Sequence, residues 1–244
     1  MEKKMKRIWV ITILLLQVMP AHAGMFDSIM ETLKTPTSSS SPSLSTDSMI
    51  SGLKEALTVG TQNAIGSLAA NNGYLNNKEI AIPMPSSISN ISDVLKTAGQ
   101  GDVVDSFIKS MNGAAESAAP QAQSIIVDAI SNMNFNDAQQ VLKGGNTAAT
   151  DYLKAKTYDK ISSAFQPTIS SSLDKVGGTA NFKQMLDIFN SLPFMQAKPF
   201  DLNQYVTDEA LSGLFLMMGK EETKIRTDPT ARATDLLKKV FAGQ

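Results

Sequence analysis

Several places in this sequence bring together side chain types that could do chemistry. Ser51 and Lys54 stand at the spacing of a Ser-x-x-Lys hydrolase, on one face of a helix. Gly144, Gly145, Asn146 and Thr147 could cradle an anion where a helix begins. Asp201, Asn203, Tyr205 and Thr207 carry oxygen ligands at alternate positions, as a calcium loop does. Glu221 and Glu222 are adjacent carboxylates of the kind that perform acid–base work. Asn112 and Glu116 are four residues apart, so they share one helix face, which also carries Ile108.

Each of these meets a plainer explanation. Leu53 and Leu57 define the buried face of the first helix, which leaves Ser51 and Lys54 solvated. The glycine pair at 144–145 lacks the further glycines and the preceding strand of a nucleotide-binding loop, so helix punctuation accounts for it. The 201–207 segment has Val206 where a calcium loop needs glycine and Ser212 where it needs glutamate, so a helix-start cap is preferred. Neighbouring residues on a helix point about 100° apart, so Glu221 and Glu222 do not share a site, and the run through Asp228 reads as a solvated helix end. Asn112 and Glu116 remain as a partly buried polar pair answering groups on a neighbouring element. The binding candidates are therefore Asn112 and Glu116, Asn146 with Thr150 and Tyr152 at the opening of the helix it precedes, and Tyr205.

Composition removes whole classes of chemistry. The 244 residues contain no cysteine and one histidine, His22. Lys3, Lys4, Lys6 and Arg7 precede an apolar run over 8–19, Pro20 breaks it, and Ala21-His22-Ala23 has the form of a leader-peptidase site, so cleavage after Ala23 is expected. That apolar run extends about 18 Å as a helix, too short to span a bilayer. Cleavage would take the histidine and the one tryptophan, Trp9, with it. Lys+Arg would fall from 22 to 18 and Asp+Glu from 23 to 22, moving the net charge from −1 to −4. No catalytic triad with histidine or cysteine, no thiol chemistry and no zinc, haem or iron–sulfur site can then be built. No cofactor or metal is expected, and a mildly acidic surface makes no electrostatic case for nucleic acid.

The elements that must position these residues are helices. Residues 24–47 read as an arm with a Ser/Thr/Pro-rich linker, flexible because it has little to bury. From 48 onward apolar residues recur at three- and four-residue spacing, as in Leu53, Leu57, Ala64 and Leu68. Gly73 is expected to take a left-handed cap after the first helix, followed by an extended strap over 74–85. Ser86 or Ser87, Asp102, Asn134 or Asn136, and Asn146 or Thr147 are expected to cap the helices that follow. Pro167 is expected to kink or restart a helix, and Gly177-Gly178 to end it. A last helix is expected after Asp228-Pro229. The fold class is all-α, a single multi-helix domain over 48–244 after a signal peptide (1–23) and the arm.

The domain resembles the bacterial domain-of-unknown-function family 4197, a family of exported helical proteins. The likeness rests on Gly52-Leu-Lys-Glu-Ala-Leu57, Gly73-Tyr-Leu75, Ile82-Pro-Met-Pro85, Asp128-Ala-Ile130, the 141–157 stretch, Tyr205-Val-Thr207, Gly213-Leu-Phe215, Glu221-Glu222 with Ile225-Arg226, and Asp228-Pro229. Asn146 stands where that pattern leads one to expect aspartate. The resemblance implies an exported helical domain and brings no activity with it.

The expected function is a non-enzymatic binding or scaffold protein of the cell envelope, periplasmic or secreted. Its expected partner is a hydrophobic small molecule, such as a lipid held in an apolar cavity between helices, or an envelope protein. After signal cleavage no integral membrane segment is expected. The competing reading is a hydrolase or other enzyme using only Asp, Glu, Lys, Ser and Tyr.

Overall fold

A computed structural model describes residues 45–191 and 199–232, with Thr234 and Lys238 beyond them. It contains α1 (Thr46–Leu68), α2 (Ser89–Thr97), α3 (Gly101–Ala118), α4 (Ala122–Ser131), α5 (Phe135–Lys143), α6 (Ala148–Lys175), α7 (Gly178–Asn190) and α8 (Leu202–Thr227). Short 3₁₀ turns precede α2, join α3 to α4 and follow α8. There is no strand among the described residues, as the apolar periodicity requires. The signal-peptide segment, most of the arm and nearly all of the expected last helix lie outside the described residues.

α6 is the element on which the others converge. It packs most extensively on α8, then on α3 and α4, while α1 lies against α8 and α4. The sequence of α6 explains how one helix serves so many neighbours. Its buried residues Ala149, Leu153, Thr157, Ile161, Phe165, Ile169 and Leu173 recur every fourth position. Four residues turn about 400°, so the buried line advances about 40° at each step and winds around the helix. A straight stripe would serve one partner; this one turns from face to face along the helix. Phe107, Met111, Phe165 and Leu211, all fully buried, fill the space between these helices, each contributing about 1.5–3 kcal/mol by burial.

Several helix ends differ from expectation. Asn72, with φ 57°, takes the left-handed position after α1, not Gly73. Gly73 is needed for a different reason: a Cβ there would lie 2.4 Å from the Ser67 carbonyl oxygen and 2.6 Å from that of Leu68. Neither Ser86 nor Ser87 caps α2, and Asp102 sits inside the first turn of α3 rather than before it. α6 runs through Pro167 without restarting. Asn134 does cap α5, in a reciprocal box with Asp137, and Gly177 is left-handed between α6 and α7. The strap expected to be extended over 74–85 is mostly turns: 74–76 and 78–80 are turns, and only 81–85 run as irregular chain before the turn that opens α2, within a linker of residues 69–85 between α1 and that turn.

Candidate functional site

The six candidate residues fall in three places. The first is the strap. Asn112 on α3 is fully buried and grips Ile82: its Oδ1 accepts from the Ile82 N–H at 2.8 Å, and its Nδ2 donates to the Ile82 carbonyl at 3.0 Å and to the Ile108 carbonyl at 2.8 Å. One turn on, the Glu116 carboxylate accepts from the Asn72 and Tyr74 amides, each at 3.2 Å. Tyr74 is buried and donates its hydroxyl to the Ala210 carbonyl on α8 at 2.8 Å. Burial, with Glu116 nearby, drives its phenol pKa upward. Tyr205 donates to the Pro83 carbonyl at 3.0 Å, and burial, then Glu209, pushes its pKa up to about 12. Thus Asn112, Glu116 and Tyr205 act together, on the backbone of the strap.

The second place is the start of α6. Thr147 occupies the cap position but makes no capping bond; its hydroxyl donates to Asp151 at 3.2 Å. Asn146 is exposed, and its backbone carbonyl accepts from Thr223 at 3.3 Å. The cap comes from across the fold. Glu222 on α8 accepts from the Ala149 N–H at 2.9 Å and, through its other oxygen, from the Thr150 N–H and hydroxyl, both at 2.8 Å. A carboxylate here satisfies amides that the helix leaves unpaired and meets the positive end of its dipole.

Glu222 is 7% exposed, so its charge needs an answer, and Arg226 one turn later supplies it at 2.9 Å. Arg226 also donates to the Val141 carbonyl near the end of α5 at 2.9 Å. Arg232 donates to the Ile225 and Arg226 carbonyls, closing the end of α8. This cluster joins α5, α6 and α8, and it overturns the reading of 221–228 as a wholly solvated run. A signal was present in the sequence: Glu222 lies four residues beyond Met218 and three before Ile225, on the stripe that α8 buries.

The third place holds Tyr152. Its hydroxyl donates to Asp137 at 3.1 Å, which raises its pKa together with partial burial, the larger cause. It lines a polar surface cleft with Asp128, Asn134 and Lys160. The 201–207 segment is a helix start: Asp201 accepts from the Gln204 N–H at 3.0 Å. Among the described residues no group of histidine, cysteine or carboxylate side chains is placed to hold a metal. Lys54 donates to the Ser131 carbonyl at 2.8 Å, in place of any pairing with Ser51.

Two hollows bear on ligand binding. A cavity of about 20 Å³ lies between α1, α6 and α8, with Thr61, Thr150 and Glu222 in its wall. An open cleft of about 690 Å³ runs between α6 and α8, past Lys154, Phe215, Leu216 and Lys224. The internal hollow is far below the several hundred cubic ångströms that a lipid or drug-sized ligand fills.

The fold and site define a helical domain whose buried polar groups are built into the joints between its helices. A family described as "Protein of unknown function (DUF4197)" matches residues 43–242. The chain belongs to that family. No curated protein and no solved structure matches it. Among the described residues no helix is long and apolar enough to cross a membrane.

Proposed function

We propose that the protein is exported and serves the cell envelope, periplasmic or secreted, as a non-enzymatic binding or scaffold domain. Export is supported by the basic start, apolar run and Ala-His-Ala site of residues 1–23. The binding role rests on one observation: the buried polar side chains best suited to chemistry are engaged with backbone or with each other. Asn112 holds Ile82, Glu222 holds Ala149 and Thr150, and Arg226 holds Glu222 and Val141. A general base or nucleophile needs a lone pair facing substrate, and these are turned inward.

The surface that fits a hydrophobic ligand is the α6–α8 cleft. Leu216 is 43% exposed there, beside Phe215, and Lys154 lies 5.8 Å over the Phe215 ring. An apolar tail with an acidic head suits that lining. Fractionation of expressing cells, with an intact mass on the exported protein, tests the first half: a mass starting at Gly24 is expected, and retention of the leader in the cytoplasm overturns it. Titration with a single-chain lysophospholipid, followed by native mass spectrometry, tests the second. Saturable binding weakened by Leu216→Glu is expected; binding indifferent to that change overturns the cleft.

A further inference from the structure

Five threonines inside the helices of this protein share a habit, while Thr150 and Thr223 donate to Glu222 and to the Asn146 carbonyl instead. Thr58, Thr97, Thr157, Thr207 and Thr227 each donate their hydroxyl to the carbonyl four residues back, at 2.7 to 2.8 Å. Thr61, one turn after Thr58's neighbour Leu57 on α1, departs from it. It is 1% exposed, and its Oγ1 has no hydrogen-bond partner among the protein atoms. Thr61 lines the cavity of about 20 Å³ between α1, α6 and α8. A buried hydroxyl left unpaired is destabilising, so its departure from this habit points to a partner.

The cavity has the size and the chemistry for one. A water needs roughly 10–15 Å³ of such space and two to four polar neighbours. Besides Thr61, the wall carries Thr150 and Glu222. The Thr150 hydroxyl uses its hydrogen on Glu222, at 2.8 Å, and keeps its oxygen lone pairs for another donor. Arg226, which is paired with Glu222, also borders the cavity; the rest of the wall is apolar, Leu53, Leu57 and Ile225 among it, which confines a water to the polar end.

We propose that this cavity is a binding site for one ordered water, held between Thr61 Oγ1 and the Thr150–Glu222 pair. The water extends the joint between α6 and α8 to α1. A high-resolution crystal structure should show a density peak within hydrogen-bond distance of Thr61 Oγ1; its absence overturns the proposal. Thr61→Val gives a second test whose sign decides. The two side chains have nearly the same shape. If the hydroxyl were unpaired, removing it would raise Tm or leave it unchanged, and either result overturns the proposal. If it binds a water, Thr61→Val strands that water and lowers Tm by about 2–4 °C for a chain of this size. Thr61→Ser, which keeps the hydroxyl, retains the density peak.

Discussion

The strap joint and the α6 joint use one device in two settings. In each, a glutamate reaches across the fold and accepts hydrogen bonds from two backbone amides: Glu116 from Asn72 and Tyr74, Glu222 from Ala149 and Thr150. Glu116 is partly exposed, and none of the ion pairs among the described residues involves it. Glu222 is buried and carries an arginine. The difference shows where water stops answering charge. A half-solvated carboxylate can clamp a loop alone, while a buried one must bring its counter-charge. The joints therefore differ in what fails when each is cut.

The largest effect is expected at the α6 joint. Glu222→Ala removes the cap of α6 and the carboxylate that answers the buried Arg226 charge, for about 3–5 kcal/mol. Urea unfolding measures the loss, and adding Arg226→Met should recover part of it. Hydrogen exchange in that variant should quicken along α6 and α8 together. Asn112→Ala comes next, at about 2–3 kcal/mol, because it orphans the N–H and carbonyl of Ile82. Here the quickened amides should be those of residues 69–85, with α6 unchanged; equal loosening of both regions would erase the distinction between the joints.

Gly213→Ala probes the same strap from beneath. A Cβ there would stand 2.8 Å from the Tyr74 ring and 3.2 Å from Ile80 Cβ, so a loss of about 1–3 kcal/mol is expected by thermal melt. Gly113, on α3, has open space where its Cβ would go. Gly113→Ala should raise stability by about 0.5–1 kcal/mol, the smallest change in the series.

Alkaline pH probes the strap without mutation. The folded strap holds the phenols of Tyr74 and Tyr205 above their ordinary value of 10.0. Their contribution is complete below pH 10 and is lost as pH rises through the folded value, about 12 for Tyr205. The urea midpoint should fall across that window, and less steeply in Tyr205→Phe. An identical slope in the variant would remove Tyr205 from the clamp.

The helices were legible because burial imposes a period on apolar residues and glycine and proline interrupt it. Asn134 before Phe135, and Gly177 after Lys175, could be read locally because their partners are local. At Pro167, expected to kink or restart a helix, α6 does not restart, because the packing along it outweighs one missing backbone bond. Asn112, Glu116 and Tyr205 could be singled out by type and spacing, but not what they hold: Ile82 lies thirty residues from Asn112, and no pattern in either segment names the other. Asn146 drew attention as a cap, yet Glu222, more than seventy residues away, does that work. Glu222 and Arg226 were obscured by their charged neighbours. A search for the buried face that counts only apolar residues passes over a charge sitting on it.

The remote cap of α6 has a consequence for the order in which the chain is completed. A polypeptide made from its N-terminus presents all of Ala148–Lys175 before Glu222 exists. Until α8 is synthesised and docks, the first amides of α6 lack the carboxylate that closes them, and that end frays. The helix at the centre of the fold is thus among the last to be finished. Because that joint closes late, substitutions at Glu222 should chiefly hasten unfolding and leave the folding rate little changed.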